Sequence, residues 1–167
     1  YMIPTEGLKI IKLKNKINRK KNFIFFARII LSKGILDFIK AAKYIKKLYP
    51  ATNFYVAGPL DKDKIGQTFS LQSNLNNLIN SNKKFVKYVG YKKSYKNIFN
   101  KMDCLIAPSY TEGAGTSVME AMISGLYVVA YKNSGHNFIL KNTKNYLCKK
   151  NNFNELLEGI EFFLEMK

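Results

Sequence analysis

Short, strongly apolar runs separated by helical segments constrain this chain more than any other feature. NFIFFAR (22–28), TNFYVAGP (52–59), DCLIAPS (103–109) and LYVVAY (126–131) are rich in aromatic and β-branched residues and show no polar alternation. That is the pattern of strands buried on both faces, as in the parallel sheets of α/β proteins. FVKYVG (85–90) is a fifth candidate strand.

Helical patterns fill the gaps. Over residues 34–48, Ile35, Phe38, Ile39, Ala42, Ile45 and Leu48 recur at three- and four-residue steps, the stripe of an amphipathic helix that Pro50 ends. A polar, Asn-rich helix is expected over 67–81, a short one over 94–102, one over 117–125 closed by Gly125, and a last one over 152–166 capped by Asn152 or Asn154. Roughly five strands alternating with helices predict an α/β fold with a doubly wound, Rossmann-like parallel sheet. Such sheets bind ligands in the crevice beyond the strand C-termini. Residues 1–21 mix Pro, Gly and many basic residues and read as the end of a linker with one short strand. At 167 residues one domain is the default, with enough chain to bury a core.

A formal net charge of +17 predicts attraction to anions: phosphates, nucleic acid or an acidic membrane face. The abundance of Lys, Asn, Ile, Phe and Tyr is also what A/T-rich codons specify, so part of the charge follows from codon bias. The basic residues are scattered and match no helix-turn-helix, zinc-finger or RRM pattern, which argues against nucleic acid. Cys104 and Cys148 stand far apart without C-x-x-C spacing, so neither a disulfide framework nor a zinc site is indicated, and a reducing cytoplasm fits. With no long apolar run and no signal-peptide pattern, a soluble or membrane-peripheral domain is expected.

The chemistry is concentrated in APSYTEGAGTSVMEAMISG, residues 107–125, which leaves a strand, crosses a small-residue loop and enters a helix. Gly113, Ala114 and Gly115 leave the backbone uncovered, so its N–H groups can meet an anion that also faces the positive end of the helix dipole. Thr116 and Ser117 add hydroxyls. A Gly-x-Gly alone is more often a plain tight turn. Here, however, Glu112 and Glu120 bracket the loop with seven residues between them. Carboxylates beside a phosphate site are costly unless they accept hydrogen bonds from ligand hydroxyls, and sugars and ribose carry such hydroxyls in adjacent pairs. The ligand class that fits is a nucleotide sugar.

This segment resembles the E-x7-E signature of family 4 of the retaining glycosyltransferases. Upstream, FARIILSKG (26–34) resembles the family's strand-to-loop signature, with Arg28 and Lys33 at its diphosphate-contacting positions, and AGP (57–59), VGY (89–91) and PSY (108–110) resemble its loops after successive strands. The likeness runs from about residue 22 to the end. One departure is clear: the family's G-G-x-x-E stands here as SGHNF (134–138), with Phe138 in place of the acid.

The resemblance implies one half of a GT-B architecture, in which residues 22–167 form the nucleotide-sugar-binding Rossmann-like domain and a facing N-terminal domain, absent from this sequence, holds the acceptor. It implies no required metal or cofactor and a UDP- or GDP-linked donor. In that reading Arg28 and Lys33 hold the pyrophosphate and Glu112 faces the transferred sugar beside the Gly113–Ala114 backbone. Gly115, Thr116 and Ser117 hold the phosphates, Glu120 clasps the ribose, and Gly90 and Tyr91 meet the base. His136, the single histidine, reads as a loop residue, because the family's catalytic-region histidine lies in the other domain. Retaining transfer in cell-surface polysaccharide or glycolipid synthesis is the expected activity, with an anionic inner membrane face as a further candidate partner. The alternatives are a non-catalytic nucleotide-binding regulatory module and a nucleotide-sugar epimerase domain.

Overall fold

The computed structural model describes residues 20–59, 69–91 and 94–166, so residues 1–19 of the expected linker, with their strand, lie outside the described residues. The described chain is a six-stranded, wholly parallel sheet, β1 (Asn22–Phe26), β2 (Asn53–Ala57), β3 (Lys87–Tyr88), β4 (Cys104–Ala107), β5 (Tyr127–Tyr131) and β6 (Tyr146–Cys148). The spatial order is β3-β2-β1-β4-β5-β6. Strand order reverses between β1 and β4, where Phe23 lies beside Cys104 and Ile24 beside Leu105. Connections there leave in opposite directions and open a crevice above the C-terminal strand ends.

The helices are α1 (Ile35–Leu48), α2 (Phe69–Ser81), α3 (Lys96–Phe99), α4 (Thr116–Ile123), α5 (Ser134–Leu140) and α6 (Phe153–Glu165). Because successive strand residues point to opposite faces, Phe23, Phe25, Phe54 and Val56 pack under α1, α2 and α6, with Ile35, Phe38, Ile45, Ile79, Ile160 and Phe163 among the buried partners. On the other face Ile24, Ala57, Leu105, Val128 and Ala130 pack under Phe99, Val118, Ala121 and Leu140 of α3, α4 and α5.

Most expected elements are present with trimmed ends. Asn152 is the cap of α6: its side chain accepts from the Glu155 amide at 3.2 Å, and the Glu155 carboxylate accepts in return from Asn152 Nδ2. β3 is shorter than the run FVKYVG suggests, because it is an edge strand with β2 alone to pair with. α3 is a single turn that buries only Phe99. Two further differences matter for the site. The sheet has six strands rather than about five, and His136, read as a loop residue, lies in a helix, α5. SGHNFIL is too short for a recognisable apolar stripe, and its helix is started instead by the Asn133 side chain, which accepts from the His136 amide at 2.9 Å.

Candidate functional site at the sheet crossover

The loops after β1 and β4 meet above the crossover. Lys33 ends a 3-10 turn, Leu31–Lys33, and Gly34 then takes φ 76° so that α1 can start. A Cβ at Gly34 would lie 2.0 Å from the Pro108 carbonyl oxygen, so the Lys-Gly pair is set by how closely the two loops approach. The Tyr110 amide donates to the Ser32 carbonyl at 3.0 Å across the same gap. As a result Lys33 Nζ donates to Glu112 Oε2 at 2.5 Å, a pair that is largely buried on both sides.

Glu112 is therefore the most strongly held acid of the cleft. Burial by itself raises its carboxyl pKa, but the Lys33 hydrogen bond and charge outweigh burial, with help from the Gly115 amide and His136, and hold it below the usual carboxylate range. Glu120, on the first turns of α4, has no such partner among the causes of its shift, and burial pushes its pKa up. Two carboxyls in one cleft are thus driven in opposite directions by their surroundings.

The cleft has a volume of about 460 Å³, and Arg28, Lys33, Tyr91, Glu112, Thr116, Ser117 and Glu120 all line it. Helix α4 starts at its wall with no acid in its first turn and no side-chain cap, so the positive end of its dipole faces the cavity. Four of the residues singled out from the sequence are not on the wall. Gly113 and Ala114 are exposed on the loop, while Gly115 is the buried, left-handed N-cap of α4. Gly90 sits behind Tyr91, its carbonyl accepting from the Gly58 amide at 3.2 Å. Gly58, Pro59 and Tyr95 also line the cleft. The AGP loop pointed to the first two; Tyr95 carried no signal beyond lying near a strand end.

His136 is not a loop residue. It lies in the first turn of α5, 1% exposed, with Nδ1 2.9 Å from the Tyr131 carbonyl, to which it donates. Burial lowers its pKa, favouring the neutral ring. The turn around it supports the Glu112 loop from below: the Gly135 amide donates to the Glu112 carbonyl at 3.0 Å, Ser134 Oγ donates to the same oxygen at 3.2 Å, and a Cβ at Gly135 would collide with it. Sequence reasoning missed this support, and Gly135 was its one visible sign. Phe138, which stands where the resemblance places an acid, is 88% exposed. Among the described residues no three His, Cys, Asp or Glu side chains converge as a metal-ligand set, and no helix is long and apolar enough to cross a membrane.

A parallel sheet of this order with an anion-suited cleft at its reversal point defines a doubly wound, Rossmann-like domain. The family profile described as glycosyl transferases group 1 matches residues 9–167, and the chain belongs to that family. Among curated proteins it is 28% identical over 150 residues to a Campylobacter jejuni N,N'-diacetylbacillosaminyl-diphospho-undecaprenol alpha-1,3-N-acetylgalactosaminyltransferase, covering 89% of this chain and 37% of that protein. The chain spans less than half the length of the curated relatives it matches. Among solved structures it is similar in fold to Anabaena HepE in complex with UDP and glucose (TM-score 0.72, 21% identity, 89% of this chain and 40% of that one). It is also similar to the C-terminal domain of a group 1 family glycosyl transferase from Francisella tularensis (TM-score 0.69, 23% identity, 88% of this chain and 76% of that one).

Proposed function

We propose that this chain is the donor-binding side of a retaining, family 4 type glycosyltransferase and that the cleft at the β1/β4 crossover takes a nucleoside-diphosphate sugar. The observation that carries the reading is the convergence on one cavity wall of Arg28, Lys33, Glu112, Thr116, Ser117 and Glu120. HepE, a structural neighbour, was solved with UDP and glucose, which favours a uridine donor over a guanosine one.

In this reading the diphosphate lies between the N-terminus of α4 and the two basic side chains. As the bond between the sugar's anomeric carbon and the diphosphate oxygen breaks, Arg28 and Lys33 stabilise the charge that grows on the leaving group. Arg28 acts through its planar fork and Lys33 as a point charge. Glu112 stays ionised beside Lys33 and accepts hydroxyl hydrogen bonds from the sugar. Glu120, less acidic, accepts from the ribose hydroxyls, and Tyr91 stacks near the base. In a protein of the relatives' length the acceptor would come from a facing domain, whose closure excludes water and aligns the nucleophile. The chain by itself then binds donor without transferring sugar. A lipid-linked acceptor, as the name of the Campylobacter relative describes for that protein, would suit a lysine-rich surface resting on an anionic inner membrane face, which liposome flotation tests.

Calorimetric titration of the chain with UDP, GDP and their sugars tests the reading. Selective binding of one base, weakened at least tenfold in both Arg28→Ala and Glu120→Ala with folding intact, is the expected result. Binding that both substitutions leave unchanged would reject it.

A further inference from the structure

Below the cleft lies a buried polar cluster that the donor contacts do not use. Asp37, in the first turn of α1 and 9% exposed, accepts at Oδ2 from two hydroxyls, Tyr131 at 2.8 Å and Tyr110 at 3.0 Å. The two rings lie nearly parallel, with centroids 6.1 Å apart. Lys40 Nζ stands 4.0 Å from the other carboxylate oxygen at the solvent edge. Each member belongs to a different support of the cleft. Asp37 follows Lys33 and Gly34 into α1. Tyr110 opens the loop that carries Glu112, and its amide already donates to Ser32. Tyr131 ends β5, and its carbonyl accepts from His136, whose turn holds the Glu112 carbonyl through Gly135 and Ser134.

A buried carboxylate is expensive unless its lone pairs are filled, and an apolar residue would pack this place without that cost. Hydroxyl donors fixed on a common acceptor set distance and direction, which apolar packing does not. Two of three members fully or nearly fully buried, on three separate elements, amount to a spacer of defined length between the Lys33 loop and the Glu112 loop. We propose that Asp37, Tyr110 and Tyr131 are positioning residues that set the register of Lys33 against Glu112, and through it the geometry of the cleft. The effect on donor binding rests on the reading above; the effect on the Lys33–Glu112 pair does not.

The hydroxyls stay protonated donors throughout the neutral range. Burial and the Asp37 charge and hydrogen bond push Tyr110 up to about 12, and burial and the same carboxylate push Tyr131 higher still. The groups facing Glu112 are Lys33 from the β1 loop and His136 from α5; the cluster acts on Glu112 only through where it holds these.

The test compares the full chain with Tyr110→Phe, Tyr131→Phe and the double variant, using carboxyl-carbon NMR to follow the Glu112 titration and calorimetry with UDP. Ile160→Val, in α6 and away from the cleft, serves as a control for general loss of stability. The double variant is expected to move the Glu112 midpoint up toward the ordinary carboxylate value and to weaken UDP binding about tenfold, with the singles in between and Ile160→Val moving neither. A Glu112 midpoint unmoved in a folded Tyr110→Phe variant, or moved equally by Ile160→Val, overturns the proposal. If the unaltered chain binds no UDP, the donor reading falls and the Glu112 titration alone decides the role of the cluster.

Discussion

One face of the sheet is covered by α1, α2 and α6, of 14, 13 and 13 residues; the other by α3, α4 and α5, of 4, 8 and 7. The long-helix face is aromatic. Phe23 stacks on Phe54 at 4.8 Å, and Phe38 and Phe163 close edge-on around them. The short-helix face has one buried ring, Phe99, and under α4 it is lined by smaller residues, among them Ala107, Ala121, Ala130, Val118 and Val128. Large rings bury much apolar area and anchor the fold. Small residues let α4 sit close to the sheet, so that its N-terminus, Thr116, Ser117 and Glu120 reach the crossover. The aromatic anchor thus lies on one face and the part of the site carried by α4 on the other, and the β1 and β4 loops join them.

The division can be broken experimentally. The largest effect is expected from Phe54→Ala, which should cost about 3–5 kcal/mol in urea unfolding while the folded fraction keeps its nucleotide affinity; a parallel loss of affinity would mean that the faces are not independent. Gly34→Ala should come next. Its backbone sits at φ 76°, and its Cβ would press on the Pro108 carbonyl, so a loss of about 1–3 kcal/mol is expected from strain. Unlike Phe54→Ala, it should also part Lys33 from Glu112, visible as a rise in the Glu112 titration midpoint.

Lys33→Met sharpens the comparison further. Glu112 has a folded pKa below its unfolded value, so it contributes stability above the ordinary carboxylate range that is lost as the pH falls through the folded value. Lys33→Met should remove that acid-side slope, seen in melting temperatures taken across the acid range, and weaken UDP binding about tenfold. The smallest effect is expected at His136. Burial depresses its pKa, so the unfolded chain binds the extra proton first, and stability falls as the pH drops below about 6.5. His136→Gln should flatten that part of the curve while leaving most of the Glu112 slope, which Lys33 sets, in place.

The sheet was legible in the sequence because each buried run is short, apolar and followed by a turn, and α1 because its stripe is long. That Thr116, Ser117 and Glu120 lie on one cleft wall was legible from a small-residue loop running into a helix and from the spacing of Glu112 and Glu120. Local pattern could not reveal α5, which has seven residues and begins Ser-Gly, or the cluster of Asp37, Tyr110 and Tyr131, separated by up to 94 positions along the chain. Asp37 sits on the edge of an otherwise apolar stripe, four residues before Ala41, and that misplacement was its only visible mark. A Tyr closing a buried strand reads as core until its hydroxyl is given a partner.

The most direct test of the account is the amide NMR spectrum of the isotope-labelled chain as UDP is added. Perturbations should gather at residues 28–34, at Tyr91 and at 112–120, above the C-terminal ends of β1 and β4. Shifts confined to the opposite end of the sheet, around Lys21, Asp103 and Tyr127, or none at saturating UDP, would contradict the assignment of the crossover cleft to the donor.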